Sequence, residues 1–177
     1  MSNITIIKVS IEEIAQLQKI GATTFSETFS EFNTPENLNK YLEESFSLKK
    51  LSSEVNNANS EFYLALHDAY PIGYLKVNFG SSQTELKDNK ALEIERIYVL
   101  KQYQGKDAGK LLYQKALAIA NQCKVEYIWL GVWEKNTRAI NFYKKNGFVT
   151  FDTHIFKLGN EEQTDFMMKL KLVNVHE

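Results

Sequence analysis

Two glutamates, a basic glycine turn and one helical tyrosine are the residues of this sequence best placed to do chemistry. Glu93 and Glu95 stand two apart in an aliphatic run, 92–99, that reads as a strand. Strand side chains alternate, so both carboxylates face one side, where they can hold a cation or accept a proton. A solvated strand edge, or a salt bridge to Arg96 or a lysine, would explain them equally well. The turn follows directly: Gln102-Tyr103-Gln104-Gly105-Lys106-Asp107-Ala108-Gly109-Lys110. It opens a helical pattern, and a helix N-terminus offers unpaired N–H groups and partial positive charge to a phosphate. Lys106 and Lys110 add full charges. The turn has neither the G-x-G-x-x-G spacing nor the glycine-lysine-serine/threonine ending of the common nucleotide loops. An ordinary strand-to-helix turn accounts for this segment alone equally well. Tyr143 shares a helix face with Ala139 and Phe142, where a tyrosine is commonly core with its hydroxyl tied to backbone.

Other nucleophiles and metal ligands are sparse. His67, His154 and His176 are scattered without metal-ligand spacing. His67 in a turn and His176 in the tail read as surface residues, which leaves His154 as the one to test. Cys123 is the single cysteine, so an internal disulfide or a thiolate metal cluster is excluded. On the inner face of its helix it reads as a small core residue. No metal is expected.

A second segment changes the weight of the first. Residues 130–148 run Leu-Gly-Val-Trp-Glu-Lys-Asn136-Thr-Arg-Ala139-Ile-Asn-Phe142-Tyr143-Lys-Lys145-Asn-Gly147-Phe148. This resembles the Asn-x-x-Ala and aromatic-Tyr-x-Lys-x-Gly-Phe signature of GNAT N-acetyltransferases. The turn at 104–109 resembles the same family's pyrophosphate loop, Gln/Arg-x-x-Gly-x-Gly/Ala, with Asp107 where the pattern has its middle glycine. Two half-signatures in the right order, one helix and one strand apart, are more specific than either alone, and the resemblance covers about 61–172. Further stretches resemble PaiA-type spermidine/spermine N-acetyltransferases over nearly the whole length: Phe25-Ser26-Glu27-Thr28-Phe29, Asn33-Thr34-Pro35-Glu36-Asn37, Leu92 to Val99, Trp129 to Asn136, and Glu161-Glu162-Gln163-Thr164-Asp165.

The resemblance implies acetyl-coenzyme A as co-substrate and direct acetyl transfer to a primary amine in a ternary complex. It implies that backbone groups of Ile97, Tyr98 and Val99 pair with the pantetheine arm. Gln104, Gly105, Lys106, Asp107, Ala108, Gly109 and Lys110 would cradle the pyrophosphate, Asn136 would bond the arm, and Lys145 would meet a phosphate. Tyr143 would be the general acid for the departing thiolate. An alkylamine of pKa about 10.4 is almost wholly protonated at pH 7, so a base is needed; Glu93 or Glu95 is the expected one. A polyamine is the expected acceptor. Another small amine, a peptide N-terminus, or a non-catalytic acetyl-coenzyme A sensor are the alternatives, the last favoured only by Asp107. A homodimer is compatible with the resemblance.

The elements that must position these groups follow from patterning. A strand at 4–9 precedes a capping box, Ser10 with Glu13, and a helix carrying Ile11, Ile14 and Leu17. Thr34-Pro35 starts a second helix and 48–55 forms a third. Strands at 61–66 and 72–77 flank a turn at 67–71, and 80–90 is a polar loop. A strand at 92–99, a helix at 109–122 and an apolar strand at 127–132 form a crossover, which requires parallel pairing. A helix at 137–146 closes at Gly147, and strands near 148–151 and 166–172 finish the chain. The expected fold is mixed α/β: one GNAT domain over 1–177, its mostly antiparallel sheet holding a splayed parallel pair.

Composition bounds the rest. The 177 residues suit one core, and no apolar run approaches the roughly 18 residues a membrane span needs. No leader pattern opens the sequence, so the expected location is the cytoplasm. A net charge of −1 argues against nucleic acid as partner. Charge is uneven: seven acids face three lysines in 1–48, while five cations face one acid in 96–115. The first suits a cationic ligand and the second an anionic one, although solvated surface explains both.

Overall fold

Local signals start the three N-terminal helices near where the sequence places them. The structure, a computed structural model, describes residues 3–173. After β1 (Ile4–Lys8), Ser10 and Glu13 form the expected capping box, one 3-10 turn follows, and α1 (Ile14–Phe29) begins. The Thr34 hydroxyl accepts from Asn37 N at 3.2 Å ahead of α2 (Pro35–Ser45), and Ser47 accepts from Lys50 N at 3.1 Å ahead of α3 (Leu48–Val55). Each such cap contributes about 1 kcal/mol.

Then come β2 (Ser60–His67), β3 (Tyr70–Phe79), β4 (Ala91–Val99), α4 (Ala108–Gln122), β5 (Tyr127–Trp133), α5 (Thr137–Lys145), β6 (Val149–Leu158) and β7 (Glu161–Lys171). They form one sheet in the order β1-β2-β3-β4-β5-β7-β6, in which β4 and β5 are parallel and every other neighbouring pair is antiparallel. This is the mixed α/β architecture that the crossover required.

Helices cover both faces. Leu112, Ala116 and Ile119 of α4 and Ile140 of α5 pack on Leu75, Ile94, Ile128 and Leu130. Leu17 and Phe25 of α1 and Leu51 of α3 pack with Phe62, Leu64 and Tyr74 on the opposite face. A fully buried leucine or phenylalanine in either layer contributes about 1.5–3 kcal/mol.

Three expectations need correction. The β2–β3 turn is two residues, Asp68 and Ala69, both with positive φ (49° and 69°), so His67 and Pro71 belong to strands. Pro71 is tolerated because the register shifts beside its partner Leu66. The last two strands form a hairpin of ten and eleven residues, far longer than 148–151 and 166–172. Edge strand β6 shows water mostly polar side chains, which hid its extent. Cys123 is exposed at the end of α4, where the helix has run past its buried stripe. The reading of His176 lies outside the described residues.

A positive φ costs a residue with a Cβ about 1 kcal/mol, and the mirror-image two-residue turn demands it at both central positions. Ala69→Gly is therefore expected to stabilise the protein by roughly 0.5–1 kcal/mol, net of the extra chain entropy of glycine. Urea unfolding should show the midpoint rising; an unchanged or lower midpoint refutes the turn geometry.

Candidate active site

β4 and β5 pair only from Ala91–Tyr127 to Ile94–Leu130 and then separate. At the point of parting β4 carries a bulge: Lys76 faces Arg96 and Val77 faces Ile94, leaving Glu95 unopposed. A bulge bends its strand and re-aims the side chains after it. Glu93, Glu95, Arg96 and Tyr98 consequently all line the cleft under α1–α3, whereas Ile97 and Val99 pack toward the α4 layer. Strict alternation predicted the pairing of Glu93 with Glu95 but not their company.

The parted strands leave a cleft on each side of β4. The smaller, of about 320 Å³, holds Ile97, Tyr98, Val99, Gln104, Gly105, Asp107, Gly109, Lys110, Asn136 and Tyr143 of the expected cofactor set. Beyond Ile94 the β4 backbone has no strand on its β5 side. At the cleft's end the turn folds with Gly105 at φ 79° and Asp107 at φ 70°, which aims the α4 N-terminus inward. Asp107 thus takes a left-handed conformation that glycine adopts at no steric cost, and its exposed side chain makes no capping bond. Asn136 caps α5, its Oδ1 accepting from Ala139 N at 3.3 Å, which leaves the amide NH2 without a partner among the described residues. Ala108 is buried, and Lys106 lies 5.6 Å over the Tyr103 ring; neither lines the cleft. Lys145 is exposed at the far end of α5 and does not line it either. Arg138 does, with Nη2 3.3 Å from where a Cβ on Gly105 would stand. Arg138 sits inside the quoted signature, but nothing in the residue pattern singled it out.

The larger cleft, of about 410 Å³, lies on the α1–α3 side of the sheet. Its walls are aromatic: Phe25, Phe29, Tyr41, Phe46, Trp129 and Trp133 among others. Its charges are Glu54, Glu85, Glu93, Glu95 and Asp165 against Lys50 and Arg96, with His154. None of the seven N-terminal acids lines it; α1 and α2 contribute aromatic wall instead, so the acidic count of 1–48 pointed to the wrong residues. His154, the one histidine marked for testing, does line this cleft, with Nδ1 3.0 Å from Glu85.

The strand glutamates differ in state. Glu93 is 2% exposed and accepts from Asn78 Nδ2 at 2.9 Å, Thr84 N at 2.8 Å and the Thr84 hydroxyl at 2.5 Å. Burial raises its pKa against those bonds. Glu95 accepts from Asn78 at 3.1 Å and meets Lys76 at 2.9 Å and Arg96 at 3.2 Å. Burial opposes its charge too, but Arg96, Lys76 and Asn78 outweigh it and hold its carboxyl low. Lys76 also bonds Glu54 at 3.2 Å. The structure therefore removes the solvated-edge alternative for both.

Tyr143 stands in the wall between the clefts and lines both. It is 5% exposed, and no described residue bonds its hydroxyl, unlike a tyrosine tied to backbone. Burial, then the neighbouring Tyr98 and Tyr113, push its pKa well up, so it keeps its proton throughout the ordinary pH range.

This geometry agrees with comparisons to known proteins. A profile of the Acetyltransferase (GNAT) family matches residues 22–148. The chain belongs to the GNAT acetyltransferase family. An uncharacterised N-acetyltransferase from the pepI 3' region of Lactobacillus delbrueckii subsp. lactis is 38% identical over 98% of this chain and all of that one. The spermidine N(1)-acetyltransferase of Thermoplasma acidophilum is 27% identical over 96% and 98% of the two chains. A crystal structure of the Thermoplasma acidophilum PaiA N-acetyltransferase with coenzyme A superposes with a TM-score of 0.80, covering 97% of this chain and 100% of that one. The protein is thus an acetyl-coenzyme A-dependent N-acetyltransferase of the GNAT type. Among its described residues no helix is long and apolar enough to cross a membrane.

In this GNAT protein Asp107 combines a left-handed φ with a carboxylate at the α4 N-terminus, where the family resemblance implies a phosphate. Asp107→Gly is expected to tighten coenzyme A binding about 2–4-fold, as loss of like-charge repulsion between an exposed carboxylate and a phosphate about 10 Å away implies at an effective dielectric constant of roughly 40–80. Calorimetric titration at low salt reads it. Binding that is unchanged or weaker would mean that the carboxylate helps to order the turn.

Proposed function

We propose that the chain is a single acetyltransferase domain that acetylates a polyamine of the spermidine or spermine class. The observation that carries this reading is the larger cleft, where carboxylates outnumber cations between aromatic walls. A flexible polycation is drawn to such a potential, and its ammonium groups gain cation–π attraction from ring faces. The Thermoplasma acidophilum spermidine N(1)-acetyltransferase supports the same acceptor through its 27% identity.

The smaller cleft suits the co-substrate. It sets β4 backbone that no strand pairs, its Val99 carbonyl accepting from Gln104 Nε2 at 3.3 Å, beside the α4 N-terminus, Lys110 and Arg138, complementary to an amide-bearing arm that ends in a pyrophosphate. Acetyl-coenzyme A supplies an activated acyl group as a thioester. Ile97, Tyr98 and Val99 orient the arm through backbone bonds, and the Asn136 amide adds one more. Gln104, Gly105, Asp107, Gly109 and Lys110 hold the phosphates, with Arg138 opposite. Tyr143 holds a proton on its hydroxyl at the wall between the clefts and delivers it to the departing sulfur. Glu93 and Glu95 make the larger cleft electronegative and favour an incoming cation.

A free-thiol release assay with spermidine, spermine, lysine, a peptide and an aminoglycoside tests the reading. Turnover is expected to be fastest with the polyamines, and Tyr143→Phe should lower it by about 10² or more with coenzyme A affinity kept. Preference for the peptide or the aminoglycoside would overturn the acceptor; full activity in the variant would overturn the role of Tyr143.

A further inference from the structure

Of the carboxylates lining the larger cleft, four are already engaged. Glu93 is bonded by Asn78 and Thr84, Glu95 by Asn78, Lys76 and Arg96, Glu54 by Lys76, and Glu85 by His154. Asp165 differs. Among the described residues no donor bonds its carboxylate and no cation lies within 4.0 Å of it, yet it lines the cleft. Its position is also particular. It stands on β7 opposite Trp133 of β5, with Oδ2 3.6 Å from where a Cβ on Gly131 would be. Gly131 is the first β5 residue beyond the last β4 pair, so the carboxylate lies at the mouth of the splay. It is close enough to Tyr98 to disfavour ionisation of that phenol, and Tyr98 does the same to Tyr143. One unengaged acid thus faces the place where both clefts meet.

We propose that Asp165 is a catalytic residue: it binds the reacting ammonium group of the acceptor and takes its first proton. The inference rests on an amine entering the larger cleft, not on that amine being a polyamine. The nitrogen loses two protons in all. The first moves from N to Oδ2 of Asp165, breaking an N–H bond, forming an O–H bond and freeing the lone pair that attacks the thioester carbonyl. Asp165 returns this proton to solvent through the open cleft. As the C–S bond breaks, sulfur takes the proton held by Tyr143, and the second nitrogen proton replaces it there. The net result is one amide, one thiol and one released proton. Glu93 and Glu95, with their oxygens saturated by protein donors, are left as the fixed negative frame.

The electrostatics agree. Burial raises the Asp165 carboxyl to about 6, with His154 drawing it down and Glu134 pushing it up. Acting on it are His154 from β6, Tyr98 from β4 and Glu134 after β5; Glu85, from the loop before β4, lines the same cleft on His154, and α1 and α2 face the cleft with aromatic residues. A carboxyl of raised pKa loses its charge as pH falls through that value, so activity should fall below pH about 6.

The test is Asp165→Asn, assayed by thiol release across pH with the best amine of the panel. Expected are a fall in kcat/KM of about 10² or more, loss of the acid limb near pH 6, and coenzyme A affinity and urea midpoint matching the wild type. Glu93→Gln should keep that limb, and His154→Gln should keep it but move it to higher pH, since His154 lowers the Asp165 pKa. A limb that persists in Asp165→Asn, or a fall of less than threefold, overturns the proposal. If another amine outperforms the polyamines, only the acceptor reading fails and Asp165 is judged on that amine. If no amine is turned over, carboxyl NMR of Asp165 decides: bound spermidine should lower its titration midpoint by about one unit, and no change overturns the proposal.

Discussion

The parting of β4 from β5 after Ile94 is the constraint on which the rest of the structure depends. A paired sheet satisfies its own backbone and leaves no slot. Here the pairing stops after four residues of β4, and the bulge at Glu95 coincides with the stop. The antiparallel contact of β4 with β3 continues to Val99, so the strand stays anchored while its other side opens. Gly73 allows this: a Cβ there would come within 2.7 Å of the Tyr98 carbonyl oxygen. The bulge thus sits where β4 loses its β5 partner, and it turns Arg96 and Tyr98 toward the larger cleft.

Burying several charges beneath three helices needs compensation, and Lys76 and Asn78 on β3 supply it. An unpaired charge moved out of water costs several kcal/mol, whereas one engaged by counter-charge and hydrogen bonds does not. The Lys76 ammonium bridges Glu54 on α3 and Glu95 on β4. The Asn78 amide reaches both strand glutamates, and the Ser60 hydroxyl donates to its Oδ1 at 2.8 Å. The pair works as a fixed frame: it holds Glu54, Glu93 and Glu95 in place along the cleft they line. Arg96 lies 4.7 Å from the Phe46 ring, which ties the same frame to the end of α2.

Much of the fold was legible because its signals act over a few residues. Ser10 with Glu13, Thr34 with Pro35, and Gly147 after α5 each declare a helix end to near neighbours. The apolar run of β5 declared a covered strand in the same way. What stayed hidden depends on distant partners. The bulge at Glu95 exists only in register with Lys76 and Val77. Glu85 and Glu54 stand in polar stretches with no pattern to separate them from solvated surface, and Asp165 ends a stretch quoted for its resemblance in which nothing singled out the carboxylate. The two-residue turn at Asp68–Ala69 lacks the glycine that announces such turns, so the hairpin read as looser than it is. Asp107 could be seen as a departure, but only its left-handed φ shows how it occupies the place of a glycine.

The two clefts carry opposite potentials on opposite sides of one strand, and this bears on how two ligands would bind. The α4 N-terminus, Lys110 and Arg138 favour an anion on one side, and carboxylates favour a cation on the other. Ile97, Tyr98, Ala139 and Tyr143, which line both clefts, form a wall without charge. That wall keeps the basic and acidic groups from collapsing into salt bridges with each other. Unit charges about 10 Å apart at an effective dielectric constant near 20 still attract by roughly 1.7 kcal/mol. Each ligand therefore strengthens the field that its partner meets, and the coupling is reciprocal. On the proposed function, binding energy on either side is directed toward the wall where Tyr143 stands, and the acyl group would pass between the clefts there.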